Sequence, residues 1–385
     1  MSGRIVKYAW IIVAFGAGLL ITNLTSPYVA LKWWFIGLFC VLLGLFSLIL
    51  VFVRQRARER YAALVFERRP RVVVIGGGTG QPVLLRGLKN QGAEITAIVT
   101  VGDDGGSSGR LRTEFDMPPP GDIRNCLVAL ADTEPLLEEL LQHRFKEGSV
   151  LTGHSFGNLF LAAMTSITGD FETAVKETSR VLAVRGRVLP AATQEITLRA
   201  TYTDGTTVVG ESAIPRQGKT IERIEIAPAD VLALPDALAA IREADAIVIG
   251  PGSLYTSVLP NLLVPGIADA VRESAGKVMY VCNVMTQPGE TDGFTASQHV
   301  EAIYRHVGPR FFDMIIVNSA SVPAEMSDQY GIRGAHAVVA DVEKLHALGL
   351  TVIARNFLHN ASYVRHDPDL IAQQVLALIG REHRR

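Results

Sequence analysis

The strongest constraint on how this chain can fold is a repeated unit in which a short β-branched run stops at Gly, Asn or Asp and a helical stretch follows. Arg71 to Ile75, Ile95 to Val101, Ala246 to Gly250, Lys277 to Asn283 and Asp313 to Asn318 all read as strands, and Thr351 to Arg355 is a further one. Apolar runs without polar alternation belong to strands covered on both faces, as in parallel sheets. Helical patterns at Leu84 to Asn90, Pro135 to Phe145 and Leu234 to Glu243 supply the crossovers, and a closing helix is expected from Asp367 to Ile379. The expected fold class is therefore α/β, a three-layer sandwich on a mostly parallel sheet. One stretch departs from it. Between Thr193 and Ile226 the apolar period falls to 2, with Ile196, Leu198 and Ala200 alternating before a Thr203-Asp204-Gly205-Thr206 turn, which reads as an inserted antiparallel β-meander.

Residues 71–385 would form this domain, and the chain ahead of it has a different character. Tyr8 to Thr25 carries no charge over 18 residues and Trp33 to Val53 none over 21. Each approaches or reaches the roughly 20 apolar residues a helix needs to cross a bilayer core. With Ser26-Pro27 between them, the two runs read as a transmembrane helical hairpin over 1–53, followed by a basic linker helix over 54–70. Arg4 and Lys7 before the first run and Arg54, Arg56, Arg58 and Arg60 after the second put both termini, and the main domain, on the cytoplasmic side of the cell membrane. A signal peptide is the alternative, but the second run would then act as a stop-transfer segment. The mean hydropathy of +0.25 and 48% hydrophobic content agree with an embedded segment.

Charge narrows the partners. Residues 1–71 hold 10 of the 37 Lys and Arg but only 2 of the 38 Asp and Glu, leaving the body with 27 basic against 36 acidic residues. An acidic body lacks the footprint of a nucleic-acid binder. Cys40, Cys126 and Cys282 are too few and too scattered for a disulfide framework or a CxxC zinc site, which fits a reducing compartment.

The chemistry concentrates where strands end. Gly76-Gly77-Gly78-Thr79-Gly80-Gln81-Pro82 joins the first strand to a helix and reads as a phosphate cradle, with Gly77, Gly78, Thr79 and Gly80 presenting backbone amides. It is neither the dinucleotide fingerprint, since Gln81 stands at the third glycine, nor a P-loop, since no Gly-Lys-Ser/Thr follows. After the second strand come Asp103 and Asp104, able to hold Mg²⁺ or to accept ribose hydroxyls, then Ser107 and Ser108 among glycines, with Arg110 and Arg112 as phosphate partners. Asp122, Arg124 and Asn125 follow a triple proline; Asp122 could be a helix cap alone.

Gly153-His154-Ser155-Phe156-Gly157 matches the GxSxG nucleophile elbow, so a serine hydrolase has to be weighed. No HGGG-type oxyanion segment precedes it, and a second amide-rich turn, with His154, Ser155 and Asn158 touching a ligand, is the preferred reading. Gly250-Pro251-Gly252-Ser253 repeats the strand, glycine turn and helix logic, making Gly252 and Ser253 a further phosphate or sugar contact, and Asn283 ends another strand. Carboxyl ends of parallel strands share one crevice, so these loops should converge there.

Taken together, GGGTGQPVLLRGL, DDGGSSGRLR, PPPGDIRN, GHSFGN, GPGSLYTS and CNVMTQPGET resemble the YvcK family of gluconeogenesis factors within the CofD-like superfamily, over about residues 71 to 380. The resemblance implies a Rossmann-like fold and a nucleotide-sugar ligand, a UDP-sugar such as UDP-N-acetylglucosamine. It also implies a regulatory role in cell shape and envelope synthesis during gluconeogenic growth, alongside cell-envelope regulatory proteins and in a homo-oligomer. The related branch implies an alternative, a Mg²⁺-dependent phospholactyl-type transferase acting on a nucleoside-diphosphate-linked substrate in deazaflavin coenzyme biosynthesis, its metal on Asp103 or Asp104. No cofactor is otherwise implied. Tyr330, as a stacking ring, and Arg365, as a diphosphate partner, lie in later family-like segments, although either could equally pack on the surface. The apolar front end departs from soluble members of the family.

Overall fold

The computed structural model describes residues 35–36, 38–46, 49, 69–132, 134–146, 148, 150–323, 330–332, 334–359 and 364–380. The chain divides into two compact units, Met1–Arg69 and Pro70–Arg385. The expected hairpin and linker lie almost wholly outside the described residues; of the second apolar run, residues 38–46 are helical, with Phe39, Leu42 and Phe46 more than half exposed. Among the described residues no single helix is long and apolar enough to cross a membrane.

The second unit is a three-layer α/β sandwich. Its strands are β1 (Arg71–Gly76), β2 (Glu94–Val99), β3 (Arg187–Pro190), β4 (Thr197–Tyr202), β5 (Thr207–Val209), β6 (Ile221–Ala227), β7 (Ala246–Ile249), β8 (Lys277–Val281), β9 (Met314–Asn318) and β10 (Thr351–Arg355). Seven form one sheet in the order β10-β9-β8-β7-β1-β2-β3, all neighbours parallel. Strand alternation splits the core in two. Val72, Val74, Ala97, Val248 and Met279 point to the side covered by the helices Gln81–Asn90, Gly121–Leu130 and Pro368–Ile379. Val73, Ile75, Ile98, Ile247 and Tyr280 face the opposite side, where Pro235–Glu243, Ile267–Glu273 and Ala296–Val307 pack. Burial on both faces is what allows these strands to be apolar throughout.

The inserted meander is present as a three-stranded antiparallel sheet, β5-β4-β6. In β4 the inward set is Leu198, Ala200 and Tyr202, and in β6 it is Ile221, Ile224 and Ile226. Between β5 and β6 lies a 3₁₀ turn, Glu211–Gln217. The strand missed by the sequence reading is β3, a four-residue edge strand that begins with Arg187 and ends in Pro190. Proline lacks an amide donor, and the edge of a sheet is where that is tolerated.

Strand order fixes the position of the site. From β1 the chain moves outward to β2, whereas β7, β8, β9 and β10 step away in the other direction. The carboxyl ends of β1 and β7 are therefore the switch point of the sheet, where the flanking loops part and leave a crevice.

Candidate functional site

The β1 turn begins at the buried end of the strand, with Gly78 at φ +64°, a conformation that favours glycine. The helix that follows, Gln81–Asn90, starts at Gly80 with no side-chain cap and no acidic residue in its first turn. Such a start leaves backbone donors for a ligand. Gln81 itself is fully buried and turns inward: its Nε2 donates to Val74 O at 2.9 Å and Ile98 O at 3.1 Å, tying β1 to β2. That duty explains a glutamine where the dinucleotide fingerprint has glycine. Gly80 has a different constraint, since a Cβ there would stand 2.7 Å from Pro251 O. The β1 and β7 turns thus meet backbone to backbone.

The β7 turn is held from β8. The Asn283 side chain pairs with Gly252 in both directions, accepting from Gly252 N at 3.2 Å and donating to Gly252 O at 2.8 Å. The helix start beyond, at Leu254–Val258, is capped by Glu290, which accepts from Tyr255 N at 3.2 Å and from Thr256 Oγ1 at 3.0 Å. Burial pushes the Glu290 carboxyl up to about 7.

A cavity of about 470 Å³ opens over these turns. Thr79, Gly80, Gly252, Ser253 and Asn283 form one part of its wall, the β8 loop Val284–Pro288 another, and Tyr330, Val364, Arg365 and His366 a third. The Tyr330 hydroxyl accepts from Val364 N at 3.2 Å, which holds this third part of the wall together. The volume lies in the usual range for a small-molecule site, with polar groups beside an apolar stretch of Val83, Val284 and Met285.

The remaining expected residues gather on the β2 side, away from this cavity. Asp103 Oδ1 accepts from Gly105 N at 2.9 Å, and Asp104 Oδ1 accepts from Ser212 N at 2.8 Å, pinning the 3₁₀ turn of the insertion to the β2 loop. Arg124 is buried; one guanidinium nitrogen donates to Ser155 Oγ and another to Asn125 Oδ1 at 2.7 Å. Asn158 Nδ2 donates to Ser107 Oγ at 3.1 Å, and Ser107 Oγ lies 3.1 Å from His154 Nδ1. Burial, with Arg110 close by, lowers the His154 pKa. Ser108 is buried beside Gly121, where a Cβ would lie 2.4 Å from Ser108 Oγ.

Arg112 and Ser155 are each engaged by other groups of the protein. Arg112 bonds Glu195 Oε2 at 2.6 Å, Ile196 O at 3.1 Å and Thr197 Oγ1 at 2.9 Å, so it fastens the insertion instead of reaching a phosphate. Ser155 is a helix N-cap that accepts from Asn158 N at 3.2 Å and from Arg124, while His154 contacts Ser107, so the GxSxG match lacks the serine–base pair of an elbow. Arg110 reaches Thr152 O at 2.8 Å.

Between the two groups stands Asp122, whose Oδ2 accepts from Gly78 N at 2.6 Å. Burial raises its carboxyl to about 6, with Asp103 adding repulsion against the opposing pull of the Gly78 amide. Glu211, at the start of the 3₁₀ turn, is pushed up to about 8 by burial and by Asp103, Glu290, Asp104 and Asp122 around it. Glu211 and His366 were missed as site residues. Glu211 sits in a turn with no periodicity to mark it, and His366, which burial pushes down to about 4, lies in a loop whose sequence gives no sign of that burial. As for Mg²⁺, Asp103 and Asp104 each commit an oxygen to a backbone amide. Among the described residues no group of three or more His, Cys, Asp or Glu could hold a metal ion.

Known proteins resemble this chain in sequence and fold. The family model of 2-phospho-L-lactate transferase CofD matches residues 72–358. A gluconeogenesis factor of Bacillus subtilis is 54% identical over 313 residues, covering 81% of this chain and 99% of that one. Another from Halalkalibacterium halodurans is 54% identical over 310 residues, covering 80% and 96%. A crystal structure of a UPF0052 family protein from Bacillus halodurans superposes with a TM-score of 0.78 at 54% identity, over 80% of this chain and 99% of that chain. With the sheet order, the glycine turns and the family match running over the same residues, the chain belongs to the CofD family and, within it, to the gluconeogenesis factors of the YvcK (UPF0052) kind.

Proposed function

We propose that the crevice over β1 and β7 binds a nucleotide sugar, a UDP-sugar such as UDP-N-acetylglucosamine, and that the protein is a ligand-binding regulator of envelope synthesis and cell shape during gluconeogenic growth. One observation carries the reading: an uncapped helix start at the switch point opens beside a cavity whose far wall holds Tyr330 and Arg365. A diphosphate sits at Thr79, Gly80 and Ser253, a base lies against Tyr330 and the apolar wall, and Arg365 supplies charge. Calorimetric titration with UDP-N-acetylglucosamine tests it. Saturable binding that weakens at least tenfold in Arg365→Ala supports the reading, and no heat at millimolar ligand overturns it.

The family description favours a second reading, transfer of a phosphorus-containing group from a nucleoside-diphosphate-linked substrate. In this reading the carboxylates Asp103 and Asp104 at the end of β2 serve the transferred group. Turnover abolished by Asp104→Asn, with nucleotide binding intact, would select this reading over the first.

The apolar runs ahead of residue 54 anchor the domain to the membrane in this proposal, with both termini cytoplasmic. The exposed Phe39, Leu42 and Phe46 support it. A chain starting at Pro70 should leave the membrane fraction on cell fractionation. A homo-oligomer and envelope regulatory proteins complete the proposal as partners.

A further inference from the structure

We propose that Asp122 occupies the anion seat of the β1 glycine turn, so that a diphosphate enters the cradle only by displacing this carboxylate. The inference rests on the reading of that turn as a phosphate cradle and adds an internal competitor to it.

Asp122 lies in the first turn of the helix Gly121–Leu130, whose N-cap Pro120 provides no side-chain cap. A carboxylate there could cap its own helix. Instead it reaches across to the β1 turn, where Oδ2 takes the Gly78 amide at 2.6 Å. This is the contact that a phosphoryl oxygen makes with a glycine-rich turn. The same oxygen would lie only 2.7 Å from a Cβ on Gly77, so the carboxylate is pressed against the turn itself.

Its surroundings neutralise it only in part, since Arg124 favours the charged form less strongly than Asp103 opposes it. The nearest cation along the helix, Arg124, directs its guanidinium to Ser155 and Asn125. Asp103 repels it, and Asp103, Asp104 and Asp122 together raise the carboxyl of Glu211 nearby. Above about pH 6 Asp122 is thus an anion held by the Gly78 amide beside other carboxylates. A diphosphate brings the same charge and more oxygens to that amide, and the two cannot share it.

Calorimetry on the full chain with inorganic pyrophosphate, and separately with UDP-N-acetylglucosamine, tests the idea in the wild type, Asp122→Asn and Asp122→Ala. The asparagine keeps a carbonyl for Gly78 and removes only the charge. Displacement predicts pyrophosphate binding about tenfold tighter in Asp122→Asn. Equal or weaker binding there overturns the inference and makes Asp122 an anchor of the loop. Asp122→Ala separates the two further, since an anchor's loss weakens binding whereas a competitor's loss does not. A readout on the wild type alone covers variants that fold poorly: the ¹³C resonance of the Asp122 carboxyl should move on saturation with pyrophosphate, and an unmoved resonance overturns the inference. If UDP-N-acetylglucosamine binds equally well to wild type and Asp122→Asn, the nucleotide-sugar reading stands and this one falls. If pyrophosphate binding tightens while the UDP-sugar gives no heat, the reverse holds.

Discussion

The turns that leave β1 and β7 look alike in sequence, each a strand, a glycine-rich turn and a helix start, yet they satisfy their backbones differently. In the β7 turn the protein supplies the partners itself: Asn283 takes both sides of Gly252, and Glu290 caps the helix start. The β1 turn begins its helix uncapped; Asn261 donates to Gly76 O at 2.8 Å, and Asp122 accepts from the Gly78 amide. A glycine turn is therefore not a binding site by composition. What separates a structural turn from a receptive one is whether side chains from neighbouring strands have already claimed its donors.

The largest effect should come from forcing the two turns apart. In Gly80→Ala the new Cβ meets Pro251 backbone at 2.7 Å and 2.8 Å, whereas in Gly252→Ala the nearest atom, Gly77 O, is 3.1 Å away. Urea denaturation should register a loss of about 2–4 kcal/mol for Gly80→Ala and about 1 kcal/mol for Gly252→Ala. Equal losses would remove the asymmetry from the comparison.

An intermediate effect belongs to the Glu290 cap. Glu290→Ala leaves the Tyr255 amide and the Thr256 hydroxyl without their acceptor and should cost about 1–2 kcal/mol. The pH dependence sharpens this. Burial raises the folded carboxyl from its ordinary 4.5 to about 7, so the folded protein holds that proton more tightly than the unfolded chain does. Its contribution is fully present below about 4.5 and is lost as pH rises through about 7. Thermal denaturation from pH 4.5 to 8 should show a shallower fall for Glu290→Gln than for the wild type, with Asp122 and Glu211 retaining their share of the slope in both.

The smallest effect concerns the cavity wall. Tyr330→Phe removes the acceptor of the Val364 amide but keeps the ring, so stability should fall by about 1 kcal/mol or less and UDP-sugar affinity by about twofold. A tenfold loss of affinity by calorimetry would mean that the hydroxyl, and not the ring, meets the ligand.

Much of the scaffold was legible because burial on two faces leaves a plain mark: β10 was placed to the residue, and the meander emerged from its period of 2. The strand β3 was not, since four residues bounded by Arg187 and Pro190 carry too little pattern and owe their pairing to β2. The glycine turns announced where the crevice lies, but not how its residues divide. Arg112 looked like a phosphate ligand because it follows Asp103 and Asp104 in a charged loop; its three bonds to Glu195, Ile196 and Thr197 depend on an insertion more than 80 residues away. Glu211 gave no signal at all, for its proximity to four other carboxylates exists only once the 3₁₀ turn docks on Asp104. Local chemistry marks a position, whereas long-range contacts decide which of its atoms remain available.

The direction of β1 has a practical corollary. Pro70 delivers the chain to the amino end of this strand, while the cradle lies at its carboxyl end, six residues and about 20 Å further on. A sensor surface coupled through the amino end would therefore leave the ligand entrance open to solution, with no need to engineer a spacer.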